Sequence, residues 1–192
     1  MSQATGPYHH GDLRTACLRA ARELLEESDS PLSLRAVARR AGVSPTAPFR
    51  HFADRETLLS AVAAEGYREL AGALVAANPA PAQPTDLADI GVAYVRFALD
   101  HPALFRVMFA EPCDPTSPER VAATAAINEY LLSVVGRALG LATPDTMAMT
   151  LWALVHGLAF LHLHEKLHST SPTAVEDSVR AAMATVLTPP DS

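Results

Sequence analysis

Apolar residues recur at helical spacing along most of the chain, and this periodicity restricts the fold more than any other feature. Alternating runs of β-branched residues bounded by hairpin turns, which indicate strands, are almost absent. A first helix is predicted over residues 11–28. Its apolar face consists of Leu13, Ala16, Cys17, Ala20 and Leu24. The pattern predicts an all-α protein.

Two short helices joined by a tight turn come next. Ser33 is a typical N-cap for the first of them, and Gly42 is a typical C-terminal stop. Ser44 is expected to cap the second, whose first position is Pro45. Two helices joined by Gly42-Val43-Ser44 match a helix-turn-helix.

A proline-rich segment divides the chain. The stretch NPAPAQPTD, residues 78–86, contains three prolines and cannot continue a helix. We predict an N-terminal arm and three-helix DNA-binding domain over 1–53, a connecting helix over 54–78 and a C-terminal domain over 79–192. Helices beyond the boundary are predicted over 86–100, 102–109, 118–139, 144–167 and 172–187.

Positive charge is concentrated in the helix-turn-helix, although the chain carries a formal net charge of −6. Residues 33–59 hold five arginines and only two acids. Residues 1–77 balance nine basic against nine acidic side chains, whereas residues 78–192 hold six against twelve. This asymmetry indicates that one part meets a polyanion and the other does not. The acidic second part argues against a nucleoid-type protein that coats DNA.

The predicted packing leaves Arg35, Arg39 and Arg40 outside, where they can reach phosphates. The N-terminal end of the next helix is the end that enters a major groove in a helix-turn-helix. Its backbone N–H groups also favour phosphate. The alternative is that the two helices bind nothing and that the arginines are a solvated face. The residues presented at that end are Ser44, Pro45, Thr46, Ala47 and Pro48.

The stretch SLRAVARRAGVSPTAPFRHFADRETLLSAV, residues 33–62, resembles the DNA-binding domain of the TetR family of bacterial transcription regulators. The matching elements are the helix opening at Ser33, Ala-Gly-Val-Ser at 41–44, the aromatic-Arg-His-Phe stretch at 49–52 and Arg55-Glu56. The resemblance implies a homodimer that binds double-stranded operator DNA through its first helices. It also implies a ligand-binding and dimerisation domain beyond Pro79.

Carried over to this chain, the resemblance assigns phosphates to Ser33 and Arg55 and base contacts to Thr46 and Ala47. His51 would contact the DNA backbone or a base. Phe49 stands where the family often has tyrosine, and Pro48 lacks a backbone N–H. The predicted DNA-binding residues are Ser33, Arg40, Ser44, Pro45, Thr46, Ala47, Phe49, His51 and Arg55.

The segments HPALFRVMF (101–109) and LWALVHGLAFL (151–161) resemble a subgroup of the family that carries Trp, His and Gly in a late helix. Here these are Trp152, His156 and Gly157. The late helix is apolar nearly all round, so we expect its own domain and a partner subunit to cover it. The predicted dimer-interface residues are Leu151, Leu154, Gly157, Leu158, Leu161, Val179 and Met183.

Aromatic and methionine side chains at helical spacing indicate either a plain core or the wall of an apolar cavity. Because buried charges are few, a cavity would favour a small, largely apolar effector of unknown identity. The candidate ligand-binding residues are Tyr94, Phe97, Phe105, Met108, Phe109, Tyr130, Trp152, His156 and Phe160.

The stretch HEKLH, residues 164–168, matches the zinc motif HExxH, but no further histidine follows it. We predict no metal and no cofactor, and leave open whether His162, His164 and His168 bind metal. Cys17 and Cys113 form no CxxC pair, which indicates a reducing compartment.

The sequence predicts a cytoplasmic protein. The first residues lack the pattern of a signal peptide, and the longest apolar run, 147–163, contains two histidines and is short for a bilayer span. We therefore predict a homodimeric repressor that binds a palindromic operator and is released by the effector. The alternative is a small-molecule enzyme using the C-terminal cavity, although no Ser-His-Asp order, phosphate loop or paired carboxylates support it.

Overall fold

A computed structural model of the chain describes residues 10–27, 30–167 and 171–188. Within these ranges the chain forms eight α-helices and one short 3₁₀ helix, and no strand. The all-α prediction is confirmed. The helices are α1 (His10–Glu27), α2 (Leu34–Arg40), a 3₁₀ helix (Ala47–Arg50), α3 (Arg55–Ala77), α4 (Asp86–Asp100), α5 (Pro102–Phe109), α6 (Pro118–Leu139), α7 (Asp145–Leu163) and α8 (Pro172–Leu187).

Local chemistry sets the ends of the first helices as the sequence indicates. The Ser33 hydroxyl accepts a hydrogen bond from the Ala36 amide at 3.2 Å and caps α2. Gly42, with φ of 69°, occupies the left-handed region after α2 and ends it. The Asp54 carboxylate accepts from the Thr57 amide at 2.8 Å and caps α3.

The third helix of the helix-turn-helix differs from its prediction. It begins at Ala47 rather than Pro45, and it is a 3₁₀ helix. Pro48 has no N–H to donate to the Ser44 carbonyl, which is the bond an α-helix needs at this point. The Ala47 amide donates to that carbonyl instead, at 2.9 Å. Ser44 therefore precedes the helix without capping it.

Helix α7 ends earlier than predicted, at Leu163 rather than 167. Glu165 takes a φ of 55°, and the Lys166 amide turns back to the Leu161 carbonyl at 2.8 Å. HEKLH begins at the residue after the helix, and residues 164–167 form turns, so the helical face that HExxH requires does not form there. The described part of the chain contains no cluster of three potential metal ligands. His168 lies outside the described residues.

Helix α3 connects the two halves of the molecule. Near its start, Leu58 and Val62 are fully buried in the part of the core that α1 shares. Farther along, Leu70 and Leu74 are buried where α4, α5 and α6 pack against it. The apolar core thus runs without a break from α1 to α8.

Gly66 allows α3 and α5 to approach each other closely. A Cβ atom at this position would lie 2.6 Å from the Met108 Sδ and 3.0 Å from the Leu104 Cδ1. Gly72, six residues later in the same helix, has nothing within 4 Å of its Cβ position. Substituting each of the two glycines by alanine therefore distinguishes the effect of packing from that of intrinsic helix propensity.

We expect Gly72→Ala to raise the free energy of unfolding by about 0.5–1 kcal/mol, because alanine favours a helix. Gly66→Ala gains the same propensity but overpacks Met108, which typically costs about 1–3 kcal/mol. Urea denaturation should therefore find Gly66→Ala at least about 1 kcal/mol less stable than Gly72→Ala. Equal stability of the two variants would contradict the close approach of α3 and α5.

Candidate DNA-binding surface and ligand cavity

The turn between α2 and α3 presents a compact group of side chains to solvent. Pro48 and Phe52 are buried and hold the segment against the helices beneath it. Ser44 and Thr46 are exposed, and Phe49 is 51% exposed although it is aromatic. We call residues 44–49 the exposed tip. Of the predicted DNA-binding residues, Pro45 is also exposed there and Ala47 is half-buried.

Two predicted phosphate contacts are already engaged inside the protein. The Arg40 guanidinium pairs with Glu27, through Nη1 at 2.8 Å and through Nη2, and with Glu23 at 3.3 Å. This pairing lowers the pKa of the Glu27 carboxyl. Arg55 donates to the Leu32 carbonyl at 3.2 Å and to Glu111 at 2.9 Å. Arg40 thus ties α2 to α1, and Arg55 ties the start of α3 to the loop after α5.

Three other arginines remain available to DNA. Arg35, Arg39 and Arg50 are exposed, and no carboxylate of the described chain lies within 4 Å of them to form an ion pair. They flank the exposed tip in sequence on both sides. The sequence predicts that the arginines of α2 lie on its outer face. It does not reveal which of them pairs with Glu23 and Glu27, because that pairing depends on how α1 and α2 pack.

Ser33 and His51 differ in what they can offer to DNA. The Ser33 hydroxyl accepts the capping bond and keeps its own hydrogen for a phosphate oxygen. The His51 Nε2 atom is buried and has no hydrogen-bond partner, and its ring lies 6.3 Å from that of Phe52. A DNA contact through this nitrogen would require the ring to turn outward.

A cavity of about 530 Å³ lies between α3, α4, α5, α6 and α7. Four predicted ligand-binding residues line it, namely Tyr94, Met108, Phe109 and Trp152. Other apolar lining residues are Leu70, Ile127, Leu131, Leu132, Ala148 and Met149. Its size is within the range of small-molecule sites.

Five predicted ligand-binding residues lie outside this lining. Phe105 is fully buried in the core, and Tyr130 donates its hydroxyl hydrogen to the Leu74 carbonyl at 3.2 Å. Phe97 lines a separate groove beside His101. The other two, His156 and Phe160, belong to the aromatic cluster behind the cavity wall.

Sequence reasoning missed the polar part of the lining. Arg120, Thr124 and Asn128 are four residues apart and share one face of α6 that points into the cavity, and Asp145 lies at its edge. The spacing is visible in the sequence. It does not show that this face meets a cavity, because that depends on how α6 packs against the other helices.

His156 supports the cavity wall from behind. Its Nδ1 atom lies 2.7 Å from the Tyr94 hydroxyl oxygen, and its ring packs against Phe109 and Phe160 at centroid distances of 4.7 and 4.8 Å. Burial raises the pKa of Tyr94 and lowers the pKa of His156. We infer that the hydroxyl donates to a neutral imidazole, which orients the Tyr94 ring that lines the cavity.

Helix α7 has one face buried inside the chain and another that the chain covers only in part. By length and composition alone α7 is long and apolar enough to cross a membrane. Only 22% of its most apolar 18-residue stretch is buried within the described chain. Three of the predicted interface residues, Leu151, Val179 and Met183, are buried within the single chain, where α7 and α8 pack against α4. The remaining four form a stripe at helical spacing, which we call the α7 stripe. It consists of Leu154, Gly157, Leu158 and Leu161.

Comparison with known families identifies the two parts of the molecule. Residues 18–62 match bacterial regulatory proteins of the tetR family, and residues 87–186 match the tetracyclin repressor-like C-terminal domain. The second match alone spans half of the chain. The chain belongs to the TetR family. It is thus a relative of DNA-binding transcriptional regulators, and the helix-turn-helix is part of the matched N-terminal region.

Curated relatives of this TetR-family protein include helix-turn-helix-type transcriptional regulators of Mycobacterium tuberculosis and Mycobacterium bovis. Each is 29% identical over 131 residues, which is 65% of this chain and 55% of the relative. The chain thus spans about half the length of these relatives.

Solved structures extend the similarity over the whole fold. A protein of unknown function from Rhodococcus sp. RHA1 is 34% identical with a TM-score of 0.80, covering 95% of this chain and 97% of that one. NalD of Pseudomonas aeruginosa, described as the secondary repressor of the MexAB-OprM multidrug efflux pump, is 22% identical with a TM-score of 0.60, covering 92% and 97%. At 22% identity, the similarity to NalD shows a shared fold and no more.

The TetR-family protein should lose stability in acid through His156. Its folded pKa lies below its unfolded value of about 6.5, so the unfolded state takes up the proton first as pH falls. The wild type should therefore lose stability relative to His156→Gln, which does not titrate, between pH 7.5 and pH 5.5. Thermal unfolding of both proteins across this range measures the difference, and parallel curves would contradict the assignment.

Proposed function

We propose that this TetR-family protein is a cytoplasmic, homodimeric repressor that binds a palindromic operator in double-stranded DNA and is released by a small molecule in the cavity. The observation that carries the proposal is the exposed tip flanked by Arg35, Arg39 and Arg50. Their guanidinium groups have no acidic partner among the described residues, so the charge is available for phosphates.

The exposed tip supplies side chains that suit base edges. Thr46 offers a hydroxyl that can donate or accept, and Ala47 offers a methyl group suited to the methyl of thymine. Phe49 adds an exposed ring in place of a phenol. In this proposal the three arginines position the exposed tip on the DNA backbone, and Thr46 and Ala47 read sequence.

The α7 stripe supports the homodimer. Gly157 has nothing within 4 Å of its Cβ position inside the chain, so it leaves room for another helix to approach. Leu161 is 42% exposed and continues the same apolar face of α7 next to Gly157. A symmetric pair of α7 helices would cover both, and two exposed tips would then read two half-sites of a palindrome.

Ion pairs across the molecule supply a physical link between the cavity and DNA. Arg14 of α1 pairs with Glu119 of α6 at 2.7 Å, and Arg55 pairs with Glu111 two residues after the cavity residue Phe109. A ligand that moves α6 or the end of α5 would shift the helix-turn-helix through these pairs and α3. A coupling of about 1–3 kcal/mol would change operator affinity about 5- to 150-fold.

Two further points bear on the choice of function. The description of NalD as a repressor supports repression here, since the two proteins share a fold.

The alternative, an enzyme that uses the cavity, requires a nucleophile or a general base among the lining residues. Turnover of a bound small molecule by the purified protein would favour that alternative over a regulator.

The DNA-binding proposal is tested by selecting binding sites from random duplex DNA and measuring affinity against salt concentration. We expect Arg39→Ala to reduce the slope of log K against log salt by about 0.9, which corresponds to one phosphate contact. Thr46→Ala should relax base preference instead. Arg40→Ala should leave the slope nearly unchanged, because Arg40 is engaged with Glu23 and Glu27.

The matched control for these variants is Arg96→Ala, which removes an exposed arginine of α4 that pairs with Glu176. It should change neither slope nor base preference. Failure of the wild type to enrich any sequence would reject the proposed function. A slope that Arg39→Ala leaves unchanged would reject the phosphate assignment.

The dimer is tested with Gly157→Leu, which adds bulk to the α7 stripe where the single chain has open space. We expect light scattering to show a shift from dimer to monomer, with unchanged helix content by circular dichroism. Val121→Glu, which changes an exposed apolar residue of α6 outside the stripe, is the control and should remain dimeric. A monomeric wild type at micromolar concentration would reject the homodimer.

A further inference from the structure

One wall of the cavity is polar, although the other walls are apolar. Arg120, Thr124 and Asn128 follow each other at successive turns of α6 and line the cavity. Leu70 and Met108, from α3 and α5, line it from other walls. A purely apolar effector would leave the buried Arg120 Nε atom without a hydrogen-bond partner, so the lining favours a molecule with one polar end.

Arg120 is the strongest polar group of this wall. Its Nε atom is buried and has no hydrogen-bond partner. No carboxylate of the described residues lies within 4 Å of it, since the adjacent Glu119 points to Arg14 and Arg68. A buried donor without a partner is rare in folded proteins and calls for a ligand or another explanation.

The neighbouring hydroxyls do not neutralise this charge. The Tyr67 hydroxyl donates to the Met108 carbonyl at 2.8 Å, and burial raises its pKa, so it stays protonated. The Thr124 hydroxyl donates within its own helix, to backbone carbonyls of residues 120 and 121 at 3.0 and 2.9 Å. Both oxygens can accept hydrogen bonds, but neither carries a negative charge.

We propose that the cavity binds a monocarboxylic acid with an apolar body, whose carboxylate pairs with the Arg120 guanidinium. The apolar body would lie along Met108, Phe109 and Trp152. A carboxylate satisfies a guanidinium with strong charge-assisted hydrogen bonds, whereas a neutral head group supplies no charge. This inference rests on the proposed function in taking the cavity as the effector site, and it names the effector's chemical class.

Asp145 lies toward the other end of the cavity. Pro144, the residue before it, lies 3.6 Å from the Cβ position of Gly136 in α6. Position 136 lies roughly 24 Å beyond Arg120 along the helix axis, at 1.5 Å per residue. The acid therefore avoids Asp145 when its carboxylate binds Arg120. A cationic amine would instead favour the Asp145 end, which makes amines a useful contrast.

Trp152 provides a direct reporter, because it is the one tryptophan of the chain and it lines the cavity. We would titrate decanoate, decanol and decylamine into the full-length protein and follow Trp152 fluorescence and heat. We expect decanoate to bind at least about tenfold more tightly than decanol. Arg120→Met should weaken decanoate roughly 10- to 100-fold and change decanol less than threefold.

Two variants control for indirect effects. Arg137→Met removes an exposed arginine of the same helix that bonds Ser133 outside the cavity, and it should leave decanoate binding unchanged. Arg120→Lys keeps the charge and should retain part of the preference for decanoate, provided that helix content is unchanged. Equal affinity for decanoate and decanol in the wild type would overturn the proposal. So would full decanoate affinity in Arg120→Met, tighter binding of decylamine, or no binding of any probe.

The same samples separate this inference from the proposed function. Decanoate that binds through Arg120 and weakens operator binding supports both. Decanoate that binds through Arg120 but leaves operator affinity unchanged supports the ligand class and rejects its role as the effector. A protein that selects no DNA sequence rejects the proposed function, while the probe titrations still decide the role of Arg120.

Discussion

The burial of α3 from Leu58 to Tyr67 is the constraint on which the rest of the structure depends. Its first turns complete the core beneath the helix-turn-helix, and its later turns form part of the wall of the cavity. Such a helix cannot shift at one end without repacking the other, because close-packed cores do not deform continuously. The close contact at Gly66 couples it further to α5. A movement of the cavity wall could therefore reach the exposed tip through α3, because this helix contributes to both regions.

Acidic neighbours within the chain decide which arginines of the helix-turn-helix region are already engaged. Glu23 and Glu27 occupy Arg40, and Glu111 occupies Arg55, whereas Arg35, Arg39 and Arg50 have no acid within reach in the described chain. Exposed ion pairs contribute little to stability, so their role here is to direct and connect side chains. Because Glu111 belongs to the loop after α5, the Arg55 pair also connects this loop to the start of α3.

The cavity and the α7 stripe use different faces of one helix. Trp152 faces the cavity, Leu151 and Val155 face the core, and Leu161 remains exposed. In the proposed homodimer, the partly covered face of α7 would meet a second subunit, while another face of the same helix forms a wall of the cavity. Dimer geometry and ligand binding would then act on the same element, which suits a regulator whose two exposed tips must keep a fixed spacing.

Helix periodicity and capping chemistry are local, so the sequence by itself determined the all-α fold, the cap at Ser33, the stop at Gly42 and most helix bounds. The sequence also shows the excess of arginine in the helix-turn-helix, and the family that it resembles is the family to which the chain belongs. It misplaced the start of the recognition helix, although the missing N–H of Pro48 is a local signal that indicates the change to a 3₁₀ turn.

Only the tertiary structure decided the pairing of Arg40 with α1, the inward position of Arg120 and the burial of Val179 and Met183 within one chain. These depend on how helices far apart in sequence pack together. Periodicity assigns residues to the faces of a helix, but it does not say what each face meets.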